Sequence, residues 1–228
     1  MVAECGTAVQ GTVLRLVKLN VCGAPVTGAS SAVVVTDGYI SVESEPVYED
    51  GDVFRTKKAN GKLCVNKVGE NQYAQTNLTI QLCVLDPDAK VIMTGGRLLG
   101  SGSPVTGTGV AYGYNNAQAH YSVETWQPLT GRGACDPITG AQRFVYWAWP
   151  HVWNTKVNSF TIENGPLELG VTAMTEFPSS LWGMGPGSGP YWLDAPIDTT
   201  NYIDDYLWNI TTTPPPSTPE NCGAFLLT

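Results

Sequence analysis

The sequence has few charged side chains, and those it has are mostly acidic. Only 14% of its 228 residues are charged, and the formal net charge is −8. A soluble monomer usually carries charges on about a quarter or more of its surface. The composition therefore favours either a surface partly covered by partners or a loop-rich β-protein. The acidic excess argues against binding nucleic acid through a patch that neutralises phosphates.

The chain also lacks targeting and membrane-spanning patterns. Residues 1–6 contain no basic stretch followed by an apolar one, so we expect no signal peptide and synthesis in a cytoplasm. No apolar run approaches the roughly 20 residues that a membrane-spanning helix needs.

Cysteine is present, but not in a metal-binding arrangement. None of the six cysteines lies in a C-x-x-C pair, so we expect no structural zinc site. Without export the thiols are expected to stay reduced, and pairing after release into an oxidising medium is the alternative. Cys64 and Cys83 lie in apolar contexts, which predicts small buried side chains.

Catalytic patterns are equally scarce. The chain has two histidines, His120 and His151, and no G-x-S-x-G motif. Cys135 could pair with His120, but no pattern supports such a pair, and each histidine is expected to make a local hydrogen bond at a strand end. The Gly-rich runs at 100–109 and 183–189 lack the features of phosphate-binding loops. We therefore expect no enzyme activity, no cofactor, and no catalytic, cofactor-binding or metal-binding residues.

One acidic cluster allows an alternative reading as a carbohydrate-binding or carbohydrate-cleaving site. A glycosidase needs two carboxylates beside an enclosing cleft. The carboxylates could come from the cluster and the aromatic walls from three tryptophans: Glu43, Glu45, Glu49, Asp50 and Asp52, with Trp126, Trp147 and Trp149. The cluster does not match a calcium-binding loop. A carbohydrate-binding β-sandwich, such as a decoration or receptor-binding module of a virion, remains the alternative function.

Most of the chain up to residue 177 has the pattern of β-strands. Apolar alternation and β-branched residues predict strand-forming segments at 12–20, 31–46, 48–68, 75–85, 120–129, 142–149, 156–163 and 166–176. The 144–149 segment is apolar on both faces, so something must cover its second face. The pattern predicts a mainly β sandwich or barrel.

Turns and one helix punctuate these strands. Asp37-Gly38, Asp50-Gly51 and Asn60-Gly61 have the composition of hairpin turns, and Glu163-Asn164-Gly165 is expected to join the last two strands. Asp86 before Pro87 predicts the start of a short helix over 87–96 that ends at Gly95-Gly96. Residues 98–117 have the composition of a loop.

The composition changes after Phe177. Residues 178–228 are rich in Pro, Gly and Thr but also contain Trp and Tyr, which flexible linkers lack. We therefore predict a β-domain at 1–177 and an irregular C-terminal arm at 178–228. The arm's aromatic residues are expected to anchor it on its own domain or on a neighbour.

Five stretches, taken in order, resemble the major tail proteins of siphophages that infect actinobacteria. They are YEDGDVFRTKKANGKLCVN, LCVLDPDAKVIMTGG, VETWQ, FVYWAWPHVWNTKVNSFTIENGPLELGVTAMT and SSLWG, within about residues 30 to 182. The arm beyond about residue 185 is outside this resemblance.

The resemblance implies a tail-tube fold, a β-sandwich-like barrel with one helix on its flank. Hexameric rings would stack into a tube through which double-stranded DNA passes without sequence-specific binding. Other tail proteins (tape measure, tail terminator and distal tail) would be partners, and the location would be the phage tail of the virion, assembled in the host cytoplasm. The Gly/Ser segment 98–117 would be a candidate contact between rings.

Overall fold

The computed structural model describes residues 7–26, 32–101, 106–114, 116–164, 168–179, 182, 205–217 and 224–225. This part of the chain is mainly β, as the sequence predicts. Its strands are β1 (Thr7–Ala8), β2 (Val13–Lys18), β3 (Val33–Thr36), β4 (Tyr39–Glu49), β5 (Val53–Lys57), β6 (Leu63–Val68), β7 (Gln72–Leu82), β8 (Arg97–Ser101), β9 (Thr106–Ala111), β10 (Tyr121–Thr130), β11 (Phe144–Val157), β12 (Leu169–Thr175), β13 (Leu207–Thr211) and β14 (Ala224–Phe225). The α-helix in the described ranges is α1 (Pro87–Thr94), and a 3-10 turn covers Gly131–Gly133.

One antiparallel sheet of ten strands forms the body of the protein. Its order is β14-β3-β2-β10-β11-β12-β7-β4, while β1 also pairs with β10 and β13 with β11. The separate pairs β5-β6 and β8-β9 each form a two-stranded sheet. The sheet curls, because β3 and β4 lie near its opposite edges and yet only two residues join them. Tyr39 at the start of β4 accordingly lies against Gly11, beside β2. No room remains there for a side chain on Gly11.

The Asp37-Gly38 dipeptide is not a hairpin turn, and that prediction is wrong. β3 pairs with β2 and β14, whereas β4 pairs with β7 at the other edge of the sheet. The chain therefore crosses between the two edges at this dipeptide. A Cβ on Gly38 would collide with Val84. Glycine is thus required for packing at the crossing and not for hairpin geometry.

The predicted helix is confirmed, together with its end signals. The Asp86 carboxylate accepts hydrogen bonds from the backbone N–H groups of Asp88 and Ala89, at 2.9 and 3.2 Å, and Pro87 begins the helix. Gly95 ends it with a φ of 68°. α1 covers one face of the sheet, where Ala89, Ile92 and Met93 pack with residues such as Leu14, Leu16 and Leu78.

The opposite face of the sheet carries a second core. Tyr146 and Ala148 of β11 pack there with Trp126 and with valines of β2 and β3. Trp182, from beyond the β-domain predicted at 1–177, is fully buried in the same cluster. The second apolar face of 144–149 is therefore covered in part by the chain's own C-terminal region.

An ion pair is buried on this second face. Arg15 of β2 and Glu124 of β10 are register partners, and Arg15 Nη1 lies 2.8 Å from Glu124 Oε1 and 2.9 Å from Oε2. The side chains are 3% and 0% exposed. Both charged groups are desolvated, so the stability of each charge depends on its hydrogen-bonding partners in the protein.

One predicted strand is longer than expected and the next is largely missing. The segments 142–149 and 156–163 were expected to be separate strands, but β11 runs without interruption from Phe144 through Pro150 to Val157, and residues 158–163 form no strand. On one side, β11 pairs with β13 up to Ala148 and with β12 from Val152. Pro150 lies between these two ladders, and on the β10 side it falls at the register shift between Trp149 and Val152, so its missing N–H is tolerated on both sides.

Two other segments also differ from prediction. The predicted loop 98–117 contains the β8-β9 hairpin. Asp50-Gly51 is not a hairpin turn: it lies between β4 and β5, and these strands pair with β7 and β6 and not with each other. Asn60-Gly61 does form the predicted turn, with Gly61 at a φ of 80°. Residues 165–167, which include the end of the predicted Glu163-Asn164-Gly165 turn, lie outside the described residues.

The described part of the C-terminal arm lies on the protein's own body. β13 adds to β11 and β14 adds to β3. The Trp208 ring lies 6.0 Å from that of Trp147. The arm was predicted to be irregular, yet these residues extend the main sheet.

The predicted burial of Cys64 and Cys83 is wrong, since both are exposed and free. Cys64 lies on β6, whose residues are all exposed. Cys83 follows the last residue of β7, where its thiol donates to the Gly38 carbonyl oxygen at 3.3 Å. Cys22 and Cys135 are also exposed and free, and Cys5 and Cys222 lie outside the described residues.

Candidate functional site

The pair β5-β6 with its turn, residues 53–68, has an unusual surface and is here called the distal hairpin. Every residue of the distal hairpin is exposed. It continues the β4-β7 hairpin beyond Gly51 and Gly69, whose backbones approach so closely that a Cβ on Gly51 would collide with Gly69. A two-stranded hairpin that packs on nothing is marginally stable in water.

The distal hairpin is apolar on both faces. Phe54, Val65 and Leu63 share one face by strand alternation, and Val53 and Val68 pair on the other. Phe54 is 59% exposed and Val68 57%. Exposed apolar patches are frequent at sites of protein association.

Charges are segregated along the same long hairpin. The distal hairpin has five basic residues and no acidic one: Arg55, Lys57, Lys58, Lys62 and Lys67. The preceding ten residues, 43–52, have five acidic residues and no basic one; they are here called the acidic segment: Glu43, Glu45, Glu49, Asp50 and Asp52. All ten side chains are exposed. Two oppositely charged surfaces of equal charge thus adjoin on one element.

A second group of polar side chains lies at one end of the sheet. His120 precedes β10, His151 lies in β11, and Glu176 follows β12, so three adjacent strands supply them. His120 Nδ1 is 2.9 Å from His151 Nε2, and that nitrogen is 3.8 Å from Glu176 Oε2. We call these residues the histidine cluster.

The protonation of the histidine cluster follows from its neighbours. His151 Nδ1 lies 2.8 Å from the Phe177 carbonyl oxygen, which can only accept, so Nδ1 carries a proton and Nε2 offers a lone pair when the ring is neutral. His120 Nδ1 then donates to that lone pair. Burial lowers the pKa of His120, the neighbouring His151 lowers it further, and Glu176 opposes both. The ring of Trp153 stacks on His120, with centroids 6.2 Å apart.

A cavity of about 440 Å³ lies between β4 and strands β10 and β11. Its walls include the parallel rings of Trp147 and Trp149, whose centroids are 6.4 Å apart. Trp147 donates to Gln127 at 3.1 Å and Trp149 to Ser44 at 3.4 Å. A carbohydrate site with tryptophan walls, as the sequence suggested, would have to lie in this cavity.

The structure does not bring the proposed glycosidase elements together. Trp126 is fully buried on the opposite face of the sheet from the cavity. Ser41, Val42 and Ser44 of β4 line the cavity, and no carboxylate is among the described residues around it. The acidic side chains instead follow the exposed outer part of the long hairpin.

The suggested pair of Cys135 and His120 is also separated. His120 precedes β10 and Cys135 follows it, and β10 is ten residues long. A strand of that length spans about 30 Å. The two side chains cannot act together within one chain.

Two of these surfaces were missed from the sequence. The sequence alone shows the charge segregation, since residues 53–68 include no acidic residue and residues 43–52 no basic one. The histidine cluster had no such signal, because its members are separated by 31 and 25 positions and meet only through strand pairing. His120 does lie at a strand end, as predicted, whereas His151 lies inside β11.

Comparison with models of known protein families and with curated proteins finds no match to this chain. In the described part of the chain, no helix has the length and apolar character required to cross a membrane.

Proposed function

We propose that this protein is a self-assembling structural subunit, the major tail tube protein of a siphophage, whose rings stack into the tube that carries the genome. The observation that carries the proposal is the distal hairpin. Its apolar residues are uncovered and its basic residues face water, directly beside an acidic segment of equal and opposite charge.

A second copy of the same chain fits this surface. The five basic residues of one distal hairpin match the five acidic residues of another chain's acidic segment. A contact between two different patches of identical subunits is heterologous, and it produces closed rings or open filaments. Contact of this kind would also bury Phe54, Leu63 and Val65, which gives association an apolar contribution.

The remaining features agree with a tube. The curled, mainly β body and the flanking helix α1 correspond to what the sequence resemblance implies. Net acidity disfavours adhesion of DNA to the tube wall, so the genome can slide. Segment 98–117, with its β8-β9 hairpin, stays a second predicted contact between rings. Full-length tubes formed by a chain that lacks residues 101–109 would rule out this contact.

The test is a charge exchange followed by electron microscopy. At high concentration, the purified chain is expected to form rings or tubes. A chain with Lys57, Lys58, Lys62 and Lys67 changed to Glu is expected to stay monomeric, because the acidic segment then repels it. Mixing it with a chain whose Glu43, Glu45 and Glu49 are changed to Lys should restore association.

A matched control uses basic residues outside the distal hairpin. Lys18 and Lys156 are exposed on other strands, and changing both to Glu should leave assembly intact. A wild-type chain that remains monomeric at every concentration would contradict the proposal. Equal loss of assembly in the control would show a general charge effect and remove the hairpin's role.

A carbohydrate-binding module is the second candidate, and the tryptophan-lined cavity favours it. Stacked indole rings beside Gln127 and Ser44 combine an apolar platform with hydrogen-bonding groups. A glycan-array screen tests this second candidate, and fluorescence titration of the Trp147→Ala variant with any glycan found then tests the role of the cavity. Binding that survives that substitution would place the sugar elsewhere.

A further inference from the structure

The histidine cluster has the composition of a transition-metal site. It combines two imidazoles and one carboxylate from three neighbouring strands, and one ligand atom from each residue lies within 4.8 Å of the other two. Two His and one Glu are a recurring zinc ligand set that leaves one position open. His151 is 2% exposed, while the Glu176 side chain is 38% exposed and gives access from solvent.

Strand register explains why these side chains converge. Val152 pairs with Thr175, so His151 and Glu176 are opposite each other on one face, and the Glu176 N–H donates to the His151 carbonyl oxygen at 2.9 Å. On the other side of β11, Tyr121 pairs with Val152, which places His120 beside the same point. Three backbone segments thus hold the side chains in place.

The distances are close to those a bound ion requires. Ligands at 2.0–2.1 Å in a tetrahedral site lie about 3.3 Å apart. The two histidine nitrogens are 2.9 Å apart and the His151–Glu176 pair is 3.8 Å apart. Shifts of roughly half an ångström bring these two pairs to the required spacing. The third pair, His120 and Glu176, lies within 4.8 Å, and the partly exposed Glu176 side chain has the freedom to close that distance.

The contacts around the ligands also suit a metal. The Phe177 carbonyl oxygen fixes the proton of His151 on Nδ1, so Nε2 faces the cluster. Metal-binding histidines are commonly oriented in this way through their second nitrogen. On binding, His120 Nδ1 gives up its proton, and Nε2 of the same ring takes one up, so the ring remains neutral.

We propose that His120, His151 and Glu176 bind a divalent transition-metal ion, Zn²⁺ in the first instance, that joins β10, β11 and β12 at the start of the C-terminal arm. Imidazole and carboxylate ligands select such an ion over Mg²⁺ or Ca²⁺. The ion would hold the strand ends together at the point where the chain leaves the β-domain. The proposal is independent of tube assembly.

The test is thermal unfolding of the full chain, stripped with a chelator, with Zn²⁺ or Mg²⁺ added. Zn²⁺ at about 100 times its Kd is expected to raise Tm by about 5–10 °C, because it binds only the folded state. Mg²⁺ should have no such effect. His120→Gln and Glu176→Gln should each weaken Zn²⁺ binding at least about tenfold, measured by calorimetric titration. Glu168→Gln, an exposed carboxylate outside the cluster, is the matched control.

A second readout separates this site from the exposed cysteines. Co²⁺ bound to nitrogen and oxygen gives visible absorption without a thiolate charge-transfer band. Such a spectrum, unchanged in Cys22→Ser, is expected. A thiolate band, an unchanged affinity in both cluster variants, or the absence of Zn²⁺ binding would overturn the proposal.

Discussion

At the centre of the sheet, Arg15 and Glu124 are buried 2.8 Å apart, whereas on the distal hairpin five basic side chains are exposed. In the part of the chain that the structure describes, none of those five forms an ion pair, and Arg55 donates to Asn66 at 3.1 Å instead. The central charges are satisfied inside the protomer. The hairpin charges have opposite partners only a few residues away, on the acidic segment, yet they stay separate. The first region therefore stabilises the fold, and the second is the surface that the proposed assembly uses.

Removing one partner of the central ion pair tests the first half of this comparison and should have the largest effect. Glu124→Ala leaves the Arg15 guanidinium buried without the Glu124 carboxylate, so we expect the free energy of unfolding to fall by about 3–5 kcal/mol. Urea unfolding of the dilute protein measures it.

The matched control replaces both charges. Arg15→Met with Glu124→Leu removes both charges of the pair together, so stability should recover most of the loss. A Glu124→Ala loss below about 1 kcal/mol would mean that water reaches the pair. The centre of the sheet would then resemble the hairpin more than the structure indicates.

For the helix that covers the central core, we expect a smaller loss of stability. Asp86→Ala removes two hydrogen bonds to the first turn of α1, and we expect a loss of about 0.5–2 kcal/mol. Asp86→Asn keeps an accepting oxygen and should lose less. Both variants are compared by urea unfolding, and equal losses would point to the charge and not to the cap.

What could be predicted from the sequence follows the same division between local and long-range determinants. Asp86, Pro87 and Gly95 fix α1 through neighbours in the chain, so the helix was predictable. Asp37-Gly38 has the composition of a hairpin turn, but its role depends on β7 and β14, which lie far away in sequence. Whether a segment forms a strand depends on residues close to it in the sequence. Which strands pair depends on residues that are far apart.

The functional surfaces show the same limit. Cys64 was predicted to be buried because its neighbours are apolar, yet apolar neighbours on the distal hairpin are themselves exposed. Burial depends on whether a second layer lies over the strand, and residue order near Cys64 carries no such information. The histidine cluster depends on the register of β10, β11 and β12 for the same reason.

The C-terminal arm gives a pH-dependent test with a smaller effect. Tyr73 of β7 donates a hydrogen bond to Asp205, and burial raises the pKa of Asp205 from 3.8 to about 7, although the backbone N–H of Thr76 opposes this. The folded state therefore holds a proton that the unfolded chain releases between about pH 4 and 7. Stability contributed by this group falls as pH rises through that window.

Asp205→Asn should remove that part of the pH dependence. We expect wild type and variant to be similar near pH 4, and the variant to be the more stable above pH 7, when unfolding is followed in urea at each pH. A difference that does not change with pH would show that Asp205 titrates normally and that the arm is held by other contacts, such as Trp208 on Trp147.

The smallest effect on protomer stability is expected on the distal hairpin, and it completes the comparison. Phe54→Ser changes a side chain that is already 59% exposed, so the free energy of unfolding of the dilute protein should change by no more than about 0.5 kcal/mol. Leu16→Ala, in the core beneath α1, should cost about 2–5 kcal/mol. Sedimentation at high concentration should show the opposite order, with association weakened by Phe54→Ser. If Phe54→Ser instead destabilises the dilute protomer as Leu16→Ala does, the hairpin packs on its own chain, and its apolar surface is not reserved for a second copy.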